Sequence, residues 1–135
     1  MKPHRKLSPL NDMIPYAELV GLSLFEDDLG LVTILKENAD NIGNEIIGAV
    51  HGGVVAGLME HAASFHLLDQ LGEDAPAPKI INISVDYLRP ALHQDTYARA
   101  EVVKQGKRVA NLRVTAWQKD EKRLVATAHA HFLIA

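Results

Sequence analysis

Between His51 and about Leu71, apolar residues surround most of a helical wheel instead of forming one stripe. The apolar positions are Val54, Val55, Leu58, Met59, Ala62, Phe65, Leu67 and Leu68. A helix with this pattern is buried on most of its sides. The sequence therefore predicts one long helix in the centre of the fold.

After this helix, hydrophobic and polar residues alternate in four segments, which is typical of antiparallel strands with one buried face. The segments cover roughly residues 79–89, 96–105, 108–118 and 123–134. One face carries Ala110, Leu112, Val114 and Ala116 in the third segment, and Leu124, Ala126, Ala128, Ala130 and Phe132 in the fourth. Because many of these side chains are small, we expect them to leave room for the helix.

The first half of the chain has shorter elements. Residues 1–13 are polar and interrupted by proline, so we expect a loose N-terminal arm. Pro15 is suited to start a short helix, and two strand candidates, 22–25 and 31–35, flank an acidic turn. The stretch 38–48 is rich in asparagine and glycine and is predicted to be a loop. The predicted fold is α+β, in which one long helix is followed by a meander of these four strands, and a curved antiparallel sheet wraps around the helix.

Length and composition narrow the classes of function. The 135 residues suit a single domain. A net charge of −3 gives no general attraction to nucleic acid or anionic membranes, and no apolar run is long enough to span a bilayer. The absence of cysteine is compatible with a reducing cytoplasm, where we expect the protein to act. No three side chains are spaced as metal ligands, so no metal site is predicted.

The start of the long helix carries the clearest candidate chemistry. His51-Gly52-Gly53 precedes it, and Glu60 follows nine residues after His51. A helix N-terminus has unpaired N–H groups and a partial positive charge, and glycines let a substrate carbonyl approach them. Together with a carboxylate, this arrangement suggests acyl transfer chemistry.

The spacing of these groups favours a dimer. Gly53 and Glu60 are seven residues apart, which is ~10 Å along a helix and too far for both to meet one reacting carbon. They share one helix face, mostly of small residues, with Ala56, Gly57, Ser64 and Leu67. Two chains packed antiparallel through this face would bring the glycines of one opposite Glu60 of the other. The alternative is that Ala56 and Gly57 only ease packing against the chain's own sheet.

Three motifs carry a family resemblance that covers roughly residues 20–134. Residues 51–60 (HGGVVAGLME), 85–90 (VDYLRP) and 104–109 (KQGKRV) resemble the hotdog-fold acyl-CoA thioesterases of the PaaI-like, phenylacetic acid degradation group. The resemblance implies hydrolysis of an aromatic or medium-chain acyl-CoA to free acid and coenzyme A by a homodimer or homotetramer. No cofactor is implied, since coenzyme A is part of the substrate.

The resemblance also implies roles for residues at the reacting centre. A backbone N–H of Gly52 or Gly53 would polarise the thioester carbonyl, and Glu60, partly desolvated in its apolar helix, would activate water or attack directly. Relatives place an asparagine six residues before the histidine, where this chain has Glu45. Asn44 would fill that role, with Asn41 as a further candidate.

Coenzyme A carries phosphates, so its nucleotide end requires cations. Tyr87 and the 104–109 segment, which includes Gly106, match coenzyme-contacting positions of relatives. The cations available are Arg89, Lys104, Lys107 and Arg108. The alternative is a solvated hairpin whose charges only protect a sheet edge.

Other interpretations stay open. The His51 ring could simply fix the helix start through a backbone hydrogen bond, and Ser64 could satisfy Glu60. Two other functions are possible on the same fold: a non-catalytic acyl-CoA sensor, or a hotdog dehydratase or hydratase of β-hydroxyacyl thioesters. A sensor that regulates transcription would need a DNA-binding segment, and the N-terminal arm has no helix-turn-helix pattern.

Overall fold

The structure is a computed structural model that describes residues 1–72 and 74–135. Within these described residues, three α-helices, a 3-10 helix and nine strands follow one another. They are β1 (Lys2–Pro3), α1 (Ser8–Asp12), α2 (Pro15–Val20), β2 (Leu22–Asp27), β3 (Gly30–Leu35), the 3-10 helix Ala39–Asn41, β4 (Ile42–Asn44), β5 (Ala49–Val50), α3 (Gly52–Leu71), β6 (Lys79–Tyr87), β7 (Thr96–Gln105), β8 (Val109–Trp117) and β9 (Leu124–Leu133).

Seven strands form one antiparallel sheet in the order β1-β2-β3-β7-β8-β9-β6. Three of the four predicted strands after the helix, β7, β8 and β9, form the expected meander. The expectation of a single meander is wrong for β6, which pairs with β9 and occupies the sheet edge. The positions on both sides of β7 are taken by β3 and β8, so β6 cannot pair with β7 and pairs with the free edge of β9 instead.

The long helix α3 packs on one face of this sheet, and the predicted α+β architecture is confirmed. Its buried side chains include Val55, Leu58, Met59 and Phe65. The sheet face under the helix is lined by small residues, all buried: Ala98, Ala100, Ala110, Ala116, Ala126, Ala128 and Ala130. These short side chains let the helix approach the sheet closely, as the alternation pattern predicts.

The first thirteen residues correct the expectation of a loose arm. Strand β1 pairs with β2, and α1 lies against the same strand. His4 is buried, with its Nε2 3.3 Å from Asp69 at the end of α3. Asn11 is also buried and donates to the Leu22 carbonyl at 3.0 Å. The polar residues of this segment predict a loose arm, but His4 and Asn11 are paired with groups of α3 and β2.

The stretch 38–48 is also more ordered than a loop. It contains the 3-10 helix and β4, and β4 pairs with β5 in a separate two-stranded sheet immediately before α3. This small sheet positions the backbone that enters the helix. Within the described residues, no helix is long and apolar enough to cross a membrane.

Candidate active site

His51 caps the N-terminus of α3 with its ring. Its backbone is extended (φ −56°, ψ 130°), and its Nδ1 accepts the Gly53 N–H at 2.9 Å. A Cβ on Gly53 would lie only 3.0 Å from this ring, so the glycine leaves space for the ring in this position. The structure thus shows the structural role considered for His51, in which its ring fixes the helix start through a backbone hydrogen bond. The Gly53 N–H is therefore occupied.

Tyr87, at the end of β6, fixes the other end of the same peptide unit. Its hydroxyl donates to the Gly52 carbonyl at 2.7 Å, while the N–H of that peptide, on Gly53, is bound by His51. Among residues 1–72 and 74–135, no acceptor is bound by the Gly52 N–H. Of the two backbone donors predicted from sequence, Gly52 is the one left free to meet a substrate oxygen.

The two asparagines predicted to hold the substrate carbonyl or a water molecule form hydrogen bonds with backbone groups of the protein. Asn41 is buried: its side chain donates to the Val20 carbonyl at 2.8 Å, and its own carbonyl accepts the His51 N–H. Asn44 Oδ1 accepts the N–H groups of Ile46 and Ile47 at 3.1 and 3.4 Å. Asn44 is exposed near the helix entrance, but only its amide nitrogen remains to contact a ligand.

A groove of about 420 Å³ runs beside the Gly52 turn. Gly52, Val55, Tyr87 and Arg89 line it, and Arg89 is fixed by a bond from its guanidinium to the Leu124 carbonyl. The groove is mostly apolar, and Gly52, whose N–H is free, is one of its lining residues.

A second groove of about 460 Å³ shares Arg89, Pro90 and Val125 with the first. It adds Lys119 and Arg123, two cations that the sequence interpretation does not select. They follow β8 in a turn whose charges look like ordinary surface residues in the sequence. Only the crossover after β6, which returns past this turn, brings them beside Arg89.

The cations predicted to bind coenzyme A do not form one cluster within a chain. Lys104, Lys107 and Arg108 lie at the β7–β8 hairpin, whereas Arg89 follows Tyr87 at the opposite end of the sheet. Ile80 lies at the hairpin end of the sheet and Tyr87 at the opposite end, and the two residues are roughly 20 Å apart along β6. Gly106 shapes the hairpin, where its N–H bonds the Val109 carbonyl at 2.9 Å.

Glu60 lies in a separate depression of about 400 Å³ on the exposed face of α3. Gly53, Ala56, Gly57, His61, Ile83 and Tyr16 complete its lining. Glu60 is exposed in the protomer, which corrects the expectation of partial desolvation, because the apolar residues around it in sequence turn toward the sheet. In the described part of the chain, Ser64 forms no hydrogen bond with Glu60.

Tyr16 explains one of the small residues on this helix face. A Cβ on Gly57 would lie 2.5 Å from the Tyr16 hydroxyl, so glycine makes room for a side chain of the same chain. For Gly57, packing within the chain is thus what the structure shows. It is packing against α2, however, and not against the sheet.

The helix is continuous from Gly52 to Leu71, so Gly52 and Glu60 are separated by eight residues, or ~12 Å along the axis. The free N–H and the carboxylate therefore cannot both contact one carbon within a protomer. The separation of the helix-start glycines from Glu60, on which the dimer prediction rests, is thus found in the structure. The dimer itself stays a prediction.

His61, next to Glu60 in sequence, is the most perturbed titratable group near the site. Burial lowers its pKa to about 4, so the ring is neutral near pH 7. Its Nε2 lies 2.5 Å from Asn11 Oδ1. The side-chain N–H of Asn11 donates to the Leu22 carbonyl, so the atom that faces His61 is the Asn11 oxygen, which can only accept. The neutral His61 ring therefore donates a hydrogen bond from its Nε2–H to Asn11 Oδ1.

A larger depression of about 800 Å³ shares Lys119 with the second groove but is lined by none of Gly52, Tyr87, Arg89 and Glu60. It covers the sheet face opposite α3, where Trp117 stacks on Tyr97 and Arg99 lies 5.7 Å from the Trp117 ring. Arg99 on β7 donates a hydrogen bond to Asp27 at the β2–β3 turn and so links the two elements. This hydrogen bond lowers the pKa of Asp27. Across the residues that the structure describes, no three His, Asp or Glu side chains are grouped to hold a metal ion.

Comparison with known proteins identifies the family to which this arrangement is similar. The sequence model of the acyl-CoA thioesterase N-terminal domain matches residues 44–133. A solved protein from Chromobacterium violaceum is 42% identical, with 95% of this chain and 88% of that chain covered and a TM-score of 0.76. No curated protein sequence matches the chain.

Two more distant structures show the same fold. A Bacillus halodurans protein solved with CoA is 21% identical, with 90% of this chain and 79% of that chain covered and a TM-score of 0.80. A phenylacetic acid degradation-related protein from Ralstonia eutropha JMP134 is 23% identical, with 96% and 100% covered and a TM-score of 0.79.

Proposed function

This chain belongs to the hotdog-fold acyl-CoA thioesterases and is a thioester hydrolase, and we propose that it hydrolyses an aromatic or medium-chain acyl-CoA to free acid and coenzyme A. The single observation that carries the proposal is the free N–H of Gly52 at the start of α3. Gly52 lines an apolar groove, and its N–H belongs to a peptide whose other end, the His51 carbonyl, accepts the N–H groups of Val54 and Val55 at 2.9 and 3.2 Å. An oxyanion donor must be oriented before the substrate arrives, and this one is.

The thioester carbonyl oxygen binds the Gly52 N–H, and the positive end of the α3 dipole adds to the stabilisation of its developing charge. Glu60 acts as the general base. It takes a proton from water as the water oxygen bonds to the thioester carbon, and the C–S bond then breaks and the thiolate of coenzyme A leaves. Exposure of Glu60 to solvent in the protomer supports this role, since water has access to it.

Glu60 comes from the partner chain in this proposal, because ~12 Å of helix separates it from Gly52 within one chain. A two-fold dimer makes two equivalent sites. Exposed apolar residues on the edge strand β6, Ile80 and Ile81, support an interface on this side of the molecule.

Coenzyme A lies along the two grooves that share Arg89. Tyr87 and Arg89 contact it in one chain, and Lys119 and Arg123, which line the second groove, bind its phosphates. Lys104, Lys107 and Arg108, at the other end of the sheet, reach this coenzyme only if they come from another chain of the oligomer. The Bacillus halodurans neighbour solved with CoA supports a coenzyme site on this fold.

The test is thiol release from a panel of aromatic and straight-chain acyl-CoAs, followed with a chromogenic thiol reagent. We expect wild type to release thiol, with kcat at least ~100-fold lower in a folded Glu60→Gln variant, which keeps the size of the side chain. Binding of acyl-CoA without thiol release from any panel member would favour the non-catalytic sensor. Uptake of water across an enoyl-CoA double bond would favour the hydratase.

A further inference from the structure

The Glu60 depression contains two polar side chains that none of the sequence motifs includes, Tyr16 and His61. Tyr16, the second residue of α2, lies against α3 one turn before Glu60. A Cβ on Gly57 would lie 2.5 Å from its hydroxyl and 3.3 Å from ring atom Cζ. Glycine at position 57 thus brings the phenol directly onto the helix backbone.

The Glu60 carboxylate and the Tyr16 hydroxyl face the same space. Side chains on an α-helix lean toward its N-terminus, so Glu60 extends over the turn that contains Gly57. Neither the Glu60 carboxylate nor the Tyr16 hydroxyl forms a hydrogen bond within residues 1–72 and 74–135. Both oxygens are therefore free to bind a water molecule that enters the depression.

A hydrolytic water needs two acceptors. One O–H points to the base, and the second points to another acceptor, which leaves a lone pair directed at the thioester carbon. The Oδ1 of Asn44 already accepts two backbone N–H groups, and the side chain of Asn41 is buried and donates to the Val20 carbonyl. His61 is bound through Nε2 to Asn11 and its ring packs on Phe65, with centroids 4.6 Å apart.

We propose that Tyr16 is a second catalytic residue, whose hydroxyl oxygen accepts a hydrogen bond from the hydrolytic water while Glu60 takes the other proton. The inference rests on the proposed function. In the step, the water oxygen bonds to the carbonyl carbon, one water proton passes to Glu60, and the C–S bond breaks. The departing thiolate takes up a proton, and Tyr16 gains and loses none.

The first test compares Tyr16→Phe with Tyr97→Phe in thiol release by the full-length protein. Tyr97 stacks on Trp117 on the opposite sheet face, so its variant controls for removal of a phenol hydroxyl. We expect Tyr16→Phe to lower kcat about tenfold with KM and Tm unchanged, because one hydrogen bond to the reacting water is lost and none within the protein. An unchanged kcat in Tyr16→Phe would overturn the inference.

A second test separates water positioning from a structural role. Hydroxylamine attacks thioesters without a base, so the deficit of Tyr16→Phe should shrink when hydroxylamine replaces water as nucleophile. A deficit of the same size with both nucleophiles would show damaged binding and would overturn the inference. Gly57→Ala, whose methyl group displaces the hydroxyl, should lower kcat in wild type and add nothing to Tyr16→Phe.

The two proposals fail separately. If wild type hydrolyses acyl-CoA and Tyr16→Phe equals it in kcat, only the role of Tyr16 is wrong. If wild type releases thiol from no member of the panel, the proposed function is wrong and the inference falls with it. Additive effects of Gly57→Ala and Tyr16→Phe would contradict the inference alone.

Discussion

His51 and Tyr87 hold opposite ends of one peptide unit, although 36 positions separate them in the sequence. The ring of His51 accepts the N–H on Gly53, and the hydroxyl of Tyr87 donates to the carbonyl of Gly52. The peptide between the two glycines therefore cannot rotate freely. The preceding peptide, which carries the Gly52 N–H, is held through its His51 carbonyl by the N–H groups of Val54 and Val55. The strand end after the helix and the cap before it thus both hold the first turn of α3, where the free donor lies.

Tyr87→Phe should lower kcat by about five- to tenfold, since a neutral hydrogen bond contributes about 1 kcal/mol. The ring remains over Gly52, so any stacking contribution to coenzyme binding is kept. KM should therefore change less than kcat. A large rise in KM with kcat unchanged would instead show that the hydroxyl contacts coenzyme A and does not orient the helix start.

The Gly52 N–H can be removed with little disturbance of the backbone. Gly52 is the first residue of α3, where proline is favoured, and His51 has the extended conformation that a following proline requires. We expect Gly52→Pro to lower kcat ~100-fold or more, as loss of an oxyanion donor does.

Gly52→Ala is the matched control for this substitution. It also adds a Cβ, 3.3 Å from the Tyr87 ring, but keeps the N–H. It should retain most of the wild-type kcat. Equal losses in both variants would mean that the added carbon, and not the missing donor, causes the defect.

Solvent labelling tests the role assigned to Glu60. During a single turnover in 18O-labelled water, a general base places one labelled oxygen in the acid product and none in the protein. Mass spectrometry of the peptide that contains Glu60 gives the second reading. Label in that peptide would contradict the account, because it requires a covalent intermediate on Glu60.

The buried His61 predicts loss of stability in acid. Burial lowers its pKa to about 4, whereas the unfolded side chain titrates near 6.5. The unfolded state thus binds more protons between these values, and stability falls as pH decreases from about 6.5 to about 4. Thermal unfolding across this range should show the Tm falling toward pH 4, with a smaller fall in His61→Gln.

His66 serves as the comparison for this prediction. Burial also lowers its pKa, against the raising effects of Asp69 and Glu101, so it contributes in the same direction. His66→Gln should therefore reduce the pH dependence less than His61→Gln, since His61 carries the large shift. The same slope in His61→Gln as in wild type would show that burial of His61 does not govern acid stability.

The hydrophobic pattern is sufficient to predict the long helix, because the buried positions of α3 are determined by its own sequence. It cannot predict that β6 pairs with β9, because strand partners depend on which edges remain free after β3 and β8 have bound β7.

The same limit applies to the site. His51, Gly52 and Glu60 can be selected because they are close in sequence and share one helix. Tyr16 cannot, because α2 reaches Gly57 only through packing of the N-terminal segment on β2 and α3. Polar residues in short N-terminal elements give no periodic signal, so their partners appear only in three dimensions.

Subunit complementation tests the central claim, a site shared between two chains, most directly. Gly52→Pro and Glu60→Gln homodimers should each be nearly inactive. Mixed by co-expression, they form hybrids in which one site has both the intact Gly52 and the intact Glu60. With half of the dimers hybrid and one of two sites restored in each, the account predicts recovery of about a quarter of wild-type thiol release. No recovery in purified hybrid dimers would contradict it, because a site contained within one chain would stay disabled in both subunits.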